Sequence, residues 1–192
     1  MTKPVIADDF AWVPPHFLSW QAYDPAVKSD LTSTAVRIAG AWLLFDPIAL
    51  RPLLPAGEIA GVVLTNANHA RGAADFEAPL FGPDLLAQEL ATLTPLADTM
   101  EIFGLTAHAI AGGAPGEFAF YDARAGGSWI IGDALIHLIG FDFLPRKYCS
   151  EQKLMIRSLR KLLDSPFERL FFAHGPPIVA RAREHLLSLF EQ

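Results

Sequence analysis

The apolar positions along the chain change period several times, and each change marks an element. The run Ile59-Ala60-Gly61-Val62-Val63-Leu64 is continuous rather than alternating, the pattern of a short strand buried on both faces. Ahead of it, residues 33–46 read as a hairpin that turns near Ala39-Gly40, with Asp46-Pro47 closing its second strand. Residues 10–23 carry Phe10, Trp12, Phe17, Trp20 and Tyr23 and read as a strand or arm packed against the core. Further on, the pattern predicts a short strand over 77–82. Helical spacing follows over 83–90, with Pro83 in the first turn. An apolar strand over 101–110 leads to a tight turn at 112–116. Strands over 117–121 and 128–131 are joined by a hairpin loop at 122–127. Residues 150–164 predict an amphipathic helix with Ser150 as N-cap, an apolar face of Leu154, Leu159, Leu162 and Leu163, and a stop at Ser165-Pro166. A last strand over 170–173 delivers His174-Gly175, and a helix over 178–190 closes the chain. Strands and helices in this order predict layered α/β architecture. No repeat or linker divides residues 1–192, so a single domain is expected.

Composition narrows the function classes. Hydrophobic residues make up 52% of the chain and charged residues 19%, which excludes a disordered chain. A net charge of -6 gives no electrostatic footprint for nucleic acid. The aromatic residues near the N-terminus have no basic residues interleaved, so they do not read as a base-stacking platform. Cys149 is the lone cysteine, which rules out a disulfide within the chain and suits a reducing compartment. Residues 1–9 lack the apolar core of an export signal, and no apolar stretch reaches about 18 residues. The expectation is a cytoplasmic protein without a membrane span.

Candidate chemistry gathers after the buried strand, in Leu64-Thr65-Asn66-Ala67-Asn68-His69-Ala70-Arg71-Gly72-Ala73-Ala74. Polar side chains at a strand's C-terminal end can converge on a pocket held by the scaffold. This layout resembles the signature loop of the metallo-β-lactamase superfamily, T-H-x-H-x-D-H followed by small residues. The first two histidine positions are then Asn66 and Asn68, the aspartate position Ala70, and the last histidine position Arg71. The resemblance continues along the chain. The family's third histidine sits in a P-G-H-T-P-G-like turn, where this chain has Gly113; its metal-bridging Gly-Asp step matches Gly132-Asp133; its last ligand matches His174-Gly175. It implies an αββα sandwich of two packed mixed sheets with helices outside, in a lineage of hydrolases that act on esters, thioesters, amides or phosphoesters through metal-activated water. It also implies that Asp46 supports the loop from behind; on the residues alone, Asp46 reads equally well as a cap ahead of Pro47.

The metal chemistry implied by that frame is mostly missing. A catalytic zinc generally needs three protein ligands and an open position. Asn66, Asn68 and Gly113 cannot rebuild one site of the family. At the other, Ala70 and Arg71 leave His174, with Asp133 able to add a carboxylate. The expectation is therefore a degenerate site with no metal and no cofactor. Arg71 is expected to place its charge where a metal would sit and to pair with Asp133, because an unpaired buried carboxylate is costly. A shifted ligand set of His69, Asp133 and His174 would have the minimum ligand count and ranks behind that reading. His108 and His137 read as packing histidines, and His16 and His185 as peripheral. Arg146 and Lys147 beside Cys149 would lower its pKa. No G-x-S-x-G, P-loop or G-x-G-x-x-G pattern occurs.

Three functions follow, and whether the chain is an enzyme is left open among them. It is a pseudoenzyme that keeps the cleft around Asn66, Asn68, His69, Arg71, Gly113, Asp133 and His174 for a small molecule or partner. Alternatively it is a hydrolase with a rebuilt site, either one metal on His174 and Asp133 with His69 added, or no metal and His174 as general base. Or it is an interaction subunit, for example of a homodimer.

Overall fold

The structure, a computed structural model, describes residues 5–191; the first four residues of the stretch read for an export signal lie outside it. Two main sheets are filled in chain order, beside two short pairs, Ile6–Ala7 with Ala49–Leu50 and Leu135–His137 with Phe141–Phe143. The first contains β1 (Ala11–Val13), β2 (Phe17–Asp24), β3 (Ser29–Ile38), β4 (Ala41–Phe45), β5 (Ile59–Val63), β6 (Leu80–Gly82) and β7 (Leu93–Pro95), each bonded to the next. Pairing is antiparallel from β1 to β4 and parallel from β4 to β7. The second contains β8 (Glu101–Ile102), β9 (Leu105–Ala109), β10 (Phe118–Asp122), β11 (Ser128–Ile131) and β12 (Arg169–Phe172). It is antiparallel except for β11 and β12, which run parallel. Parallel neighbours need long crossovers. Here those crossovers leave β4, β5, β11 and β12 ending on one edge, followed by Asp46, the 65–71 loop, Asp133 and His174.

The continuous apolar runs reflect burial on both faces. Leu43, Phe45 and Val63 point between the sheets and meet Leu105, Phe118, Phe120, Ile130 and Phe171. Their neighbours Trp42, Leu44, Val62 and Leu64 face the other side of the first sheet. Ala119, Trp129, Ile131, Leu170 and Phe172 face α1 (Gln152–Arg160) and α2 (Ala182–Phe190). Each of these large side chains contributes about 1.5–3 kcal/mol through burial.

Several predicted elements differ in detail. The segment 83–90 forms only a 3-10 turn at Asp84–Leu86. Leu86 is buried but Leu85 is 63% exposed, so the apolar stripe is too narrow to hold a helix. The outer face of the first sheet is covered instead by irregular chain carrying Ile48, Leu54, Ala73, Phe76 and Leu86, and both α-helices among the described residues lie on the second sheet. The 101–110 run is a hairpin rather than one strand, because Phe103 and Gly104 (φ 51° and 85°) turn the chain between β8 and β9. Ala39 and Gly40 (φ 50° and 91°) turn the β3–β4 hairpin in the same left-handed way. The last helix starts at Ala182, since Ile178 is still bridged to Leu170. The predicted 150–164 helix is α only to Arg160 and ends as a 3-10 turn, Lys161–Asp164. No helix among the described residues is long and apolar enough to cross a membrane.

His16 is not peripheral. On the edge away from the strand C-termini, the buried Asp122 carboxylate accepts from His16 Nε2 (2.8 Å), Arg124 Nε (2.8 Å) and Arg124 Nη2 (2.6 Å). Arg124 Nη1 also donates to the Arg37 carbonyl (3.1 Å), tying the second sheet to the first.

Candidate metal centre

Asp46 anchors the loop. Its buried carboxylate accepts from the Thr65 N–H (2.8 Å), the Thr65 hydroxyl (2.6 Å) and His69 Nδ1 (2.9 Å). With Nδ1 committed to Asp46, His69 turns Nε2 to the other side, 3.1 Å from Asp133 Oδ1. His174 is set in the same way. Its Nδ1 donates to the Asp30 carbonyl (2.9 Å), which leaves Nε2 3.1 Å from the same Asp133 Oδ1. The other Asp133 oxygen accepts from Asn66 Nδ2 (3.1 Å).

One donor atom each from His69, Asp133 and His174 therefore converge within 4.8 Å of one another. Asp133 Oδ1 is buried and makes no aligned hydrogen bond, although two ring nitrogens stand beside it. Neutral rings that donate through Nδ1 would aim two lone pairs at an anionic oxygen. Such an arrangement needs a cation among the three atoms. A divalent ion suits the two 3.1 Å separations, since tetrahedral ligands about 2.0–2.1 Å from zinc lie roughly 3.3 Å apart. Nδ1 donated to a carboxylate or a carbonyl is also the usual support of a metal-bound histidine. A proton is the competing cation. Burial and the charge of Arg71 oppose protonation of His69, but Asp46 and Asp133 outweigh them and raise its pKa to about 9. Burial would raise Asp133, yet His69 and His174 hold it well below the usual carboxylate range.

The expectation of no metal counted His174 and Asp133 and ranked the set with His69 behind; the fold brings the three donor atoms together. The His69 signal was hard to read, because its partner Asp46 lies 23 residues away. The dinuclear positions are filled otherwise. Asn66 is buried and orients Asp133, Asn68 is exposed, and Gly113 lies buried against Glu117 and Met155.

Arg71 does not pair with Asp133. Its Nη1 donates to the carbonyls of Thr32 (2.8 Å) and Asp46 (3.2 Å), and its Nη2 to that of Ala173 (3.2 Å). Carbonyls at strand ends need donors, and the guanidinium fork serves three at once. Arg71→Ala should therefore destabilise the protein by roughly 2–4 kcal/mol in urea unfolding. Arg71→Lys should recover only part of that, since one ammonium cannot span three carbonyls.

Glu117 belongs to the site and its role was not read from the sequence. It is 3% exposed, and burial and the charge of Asp133 raise its pKa to about 8. Cys149 behaves opposite to expectation, because burial, with Glu117 adding to it, pushes its thiol up. Of the packing histidines, His108 meets the Trp129 ring edge-on at 5.1 Å, and His137 Nδ1 donates to the Pro176 carbonyl (2.8 Å).

No protein-family model matches the sequence, and no curated protein matches it. Solved structures do. A metallo-β-lactamase from Pontibacter korlensis superposes with a TM-score of 0.69 at 15% identity, covering 96% of this chain and 99% of that one. One from Erythrobacter litoralis gives 0.68 at 14% identity, over 95% and 91% of the two chains. A protein in a di-iron-bound form gives 0.57 at 23% identity, over 83% and 93%. The chain has the metallo-β-lactamase fold.

Proposed function

We propose that the protein is a hydrolase built around a single metal ion held by His69, Asp133 and His174. The observation that carries this reading is the buried Asp133 Oδ1, without a hydrogen bond and faced by two imidazoles whose other nitrogens are already committed. Bound there, a divalent ion supplies Lewis acidity for hydrolysis of an ester, thioester, amide or phosphoester. The chain's own residues divide the remaining work. His69, whose side chain is 4% exposed, is locked by Asp46 at the back of the centre. His174 and Asp133, at 17% and 12%, form the side that a substrate approaches. The fold neighbours named as metallo-β-lactamases, and the one in a di-iron-bound form, support the lineage.

A metal-free binding protein, a pseudoenzyme, is the second reading. It is favoured by the raised pKa of His69, which lets a proton between Asp46 and Asp133 supply the missing cation. Turnover separates the two. Protein loaded with zinc or manganese should hydrolyse a p-nitrophenyl ester or phosphodiester, and chelation should abolish it. Loaded protein no faster than its His174→Ala variant would remove the hydrolase reading.

A further inference from the structure

We propose that Glu117 is a positioning residue for the metal centre: its carboxyl group holds the 132–134 segment so that Asp133 faces His69 and His174. The inference rests on the single-metal reading above. Glu117 stands just ahead of β10, and its side chain runs inward. Oε1 accepts the N–H of Ala134 (2.9 Å), the residue after Asp133. Oε2 accepts the N–H of Ala114 (3.3 Å), the residue after Gly113. The carboxyl thus bridges the two segments where the fold presents its third histidine position and its aspartate. Gly132 completes the fit. A Cβ there would lie 2.8 Å from Glu117 Oε1, 2.5 Å from Thr65 Oγ1 and 3.0 Å from Asn66 Nδ2, so a side chain at 132 would evict the carboxyl. Gly113 leaves the space beside it open, with Oε2 3.5 Å from where a Cβ would stand. Two backbone N–H groups are a modest return for a buried carboxyl group. What it gains is the aim of Asp133, whose Oδ1 is the point both imidazoles face.

The test is a cobalt(II) titration of chelator-stripped protein, followed by the visible absorption of the bound ion. Wild type should bind near one equivalent. Glu117→Gln places an amide NH₂ against one of the two N–H donors, and Glu117→Asp keeps the carboxyl group but falls short by one methylene. Each should weaken cobalt binding about 10–100-fold and change the absorption band, with far-UV circular dichroism unchanged. Folded variants that bind with wild-type affinity and spectrum would overturn the proposal. If Glu117→Gln does not fold, Glu117→Asp decides. If wild type takes up no cobalt, the single-metal reading fails by itself, and the imidazole ¹⁵N shifts of His69 and His174 in the metal-free protein decide this one. They should move in the variants, and unmoved shifts would overturn it.

Discussion

Zinc added to metal-depleted protein should bind at one equivalent, not two, and should raise the melting temperature by roughly 5–10 °C when free zinc is a hundredfold above Kd. A ligand at that excess contributes about 2.7 kcal/mol to the folded state. Each kcal/mol moves the midpoint of a chain of this size by about 2–4 °C. His174→Ala leaves only His69 and Asp133 as donors, fewer than the usual three, and should abolish the shift. Asn68→Ala should leave it unchanged, because that side chain is exposed and holds no donor in the centre. Uptake of two equivalents would mean that the substituted positions still ligate. No shift in folded wild-type protein would remove the metal and leave the His69 proton as the resident cation.

Without metal, stability should fall as the pH rises from about 5 to about 9. His69 has its pKa raised from 6.5 to about 9 in the folded chain. Its contribution is therefore fully present below 6.5 and lost as the pH passes through about 9. At about 1.36 kcal/mol per pKa unit the loss is on the order of 3 kcal/mol. Glu117 acts in the same sense. Its pKa rises from 4.5 to about 8, so its contribution is present below 4.5 and is lost toward 8. Asp46 and Asp133 act at the acid end: both are depressed below 3.8, so theirs is present above 3.8 and lost as the pH falls below it. Urea midpoints measured in chelator across this range check the sign. A flat profile from pH 5 to 9 would show that His69 holds no proton between Asp46 and Asp133. Metal uptake should run the other way. The ion and the proton compete for His69 Nε2, so zinc affinity should climb with pH until His69 is neutral.

Much of the scaffold could be read in the residues because it is written locally. Trp42, Leu43, Leu44 and Phe45 alternate between the two faces of one strand, and Ala39-Gly40 mark the turn before it. Asp46, Asp133 and His174 could be picked out because each lies within two residues of a strand's end, as the resemblance requires. What was ranked low or left unread is carried by distant partners. His69 is a donor only because Asp46 turns its ring, and Glu117 matters through the N–H groups of Ala114 and Ala134. Arg71 was expected to find a carboxylate. It found backbone carbonyls, which no side-chain pattern announces. The helix expected over 83–90 failed for a related reason: an apolar stripe needs a surface broad enough to receive it, and within Asp84–Leu86 only Leu86 is buried.

The two sheets are stitched at both edges. Beside the centre, the Thr32 N–H donates to the Ala173 carbonyl (2.8 Å), Thr32 Oγ1 exchanges hydrogen bonds with Gly175 (3.1 Å each), and Arg71 spans both strands. At the far edge His16, Asp122, Arg124 and Arg37 do the same. A sandwich sewn along two seams resists spreading at the edge where the three donor atoms meet. His69 Nε2 and His174 Nε2 each stand 3.1 Å from Asp133 Oδ1, near the ligand separation of an ion with bonds of about 2.0–2.1 Å. The spacing of the centre is then set by the bonds between the sheets as well as by the three side chains themselves.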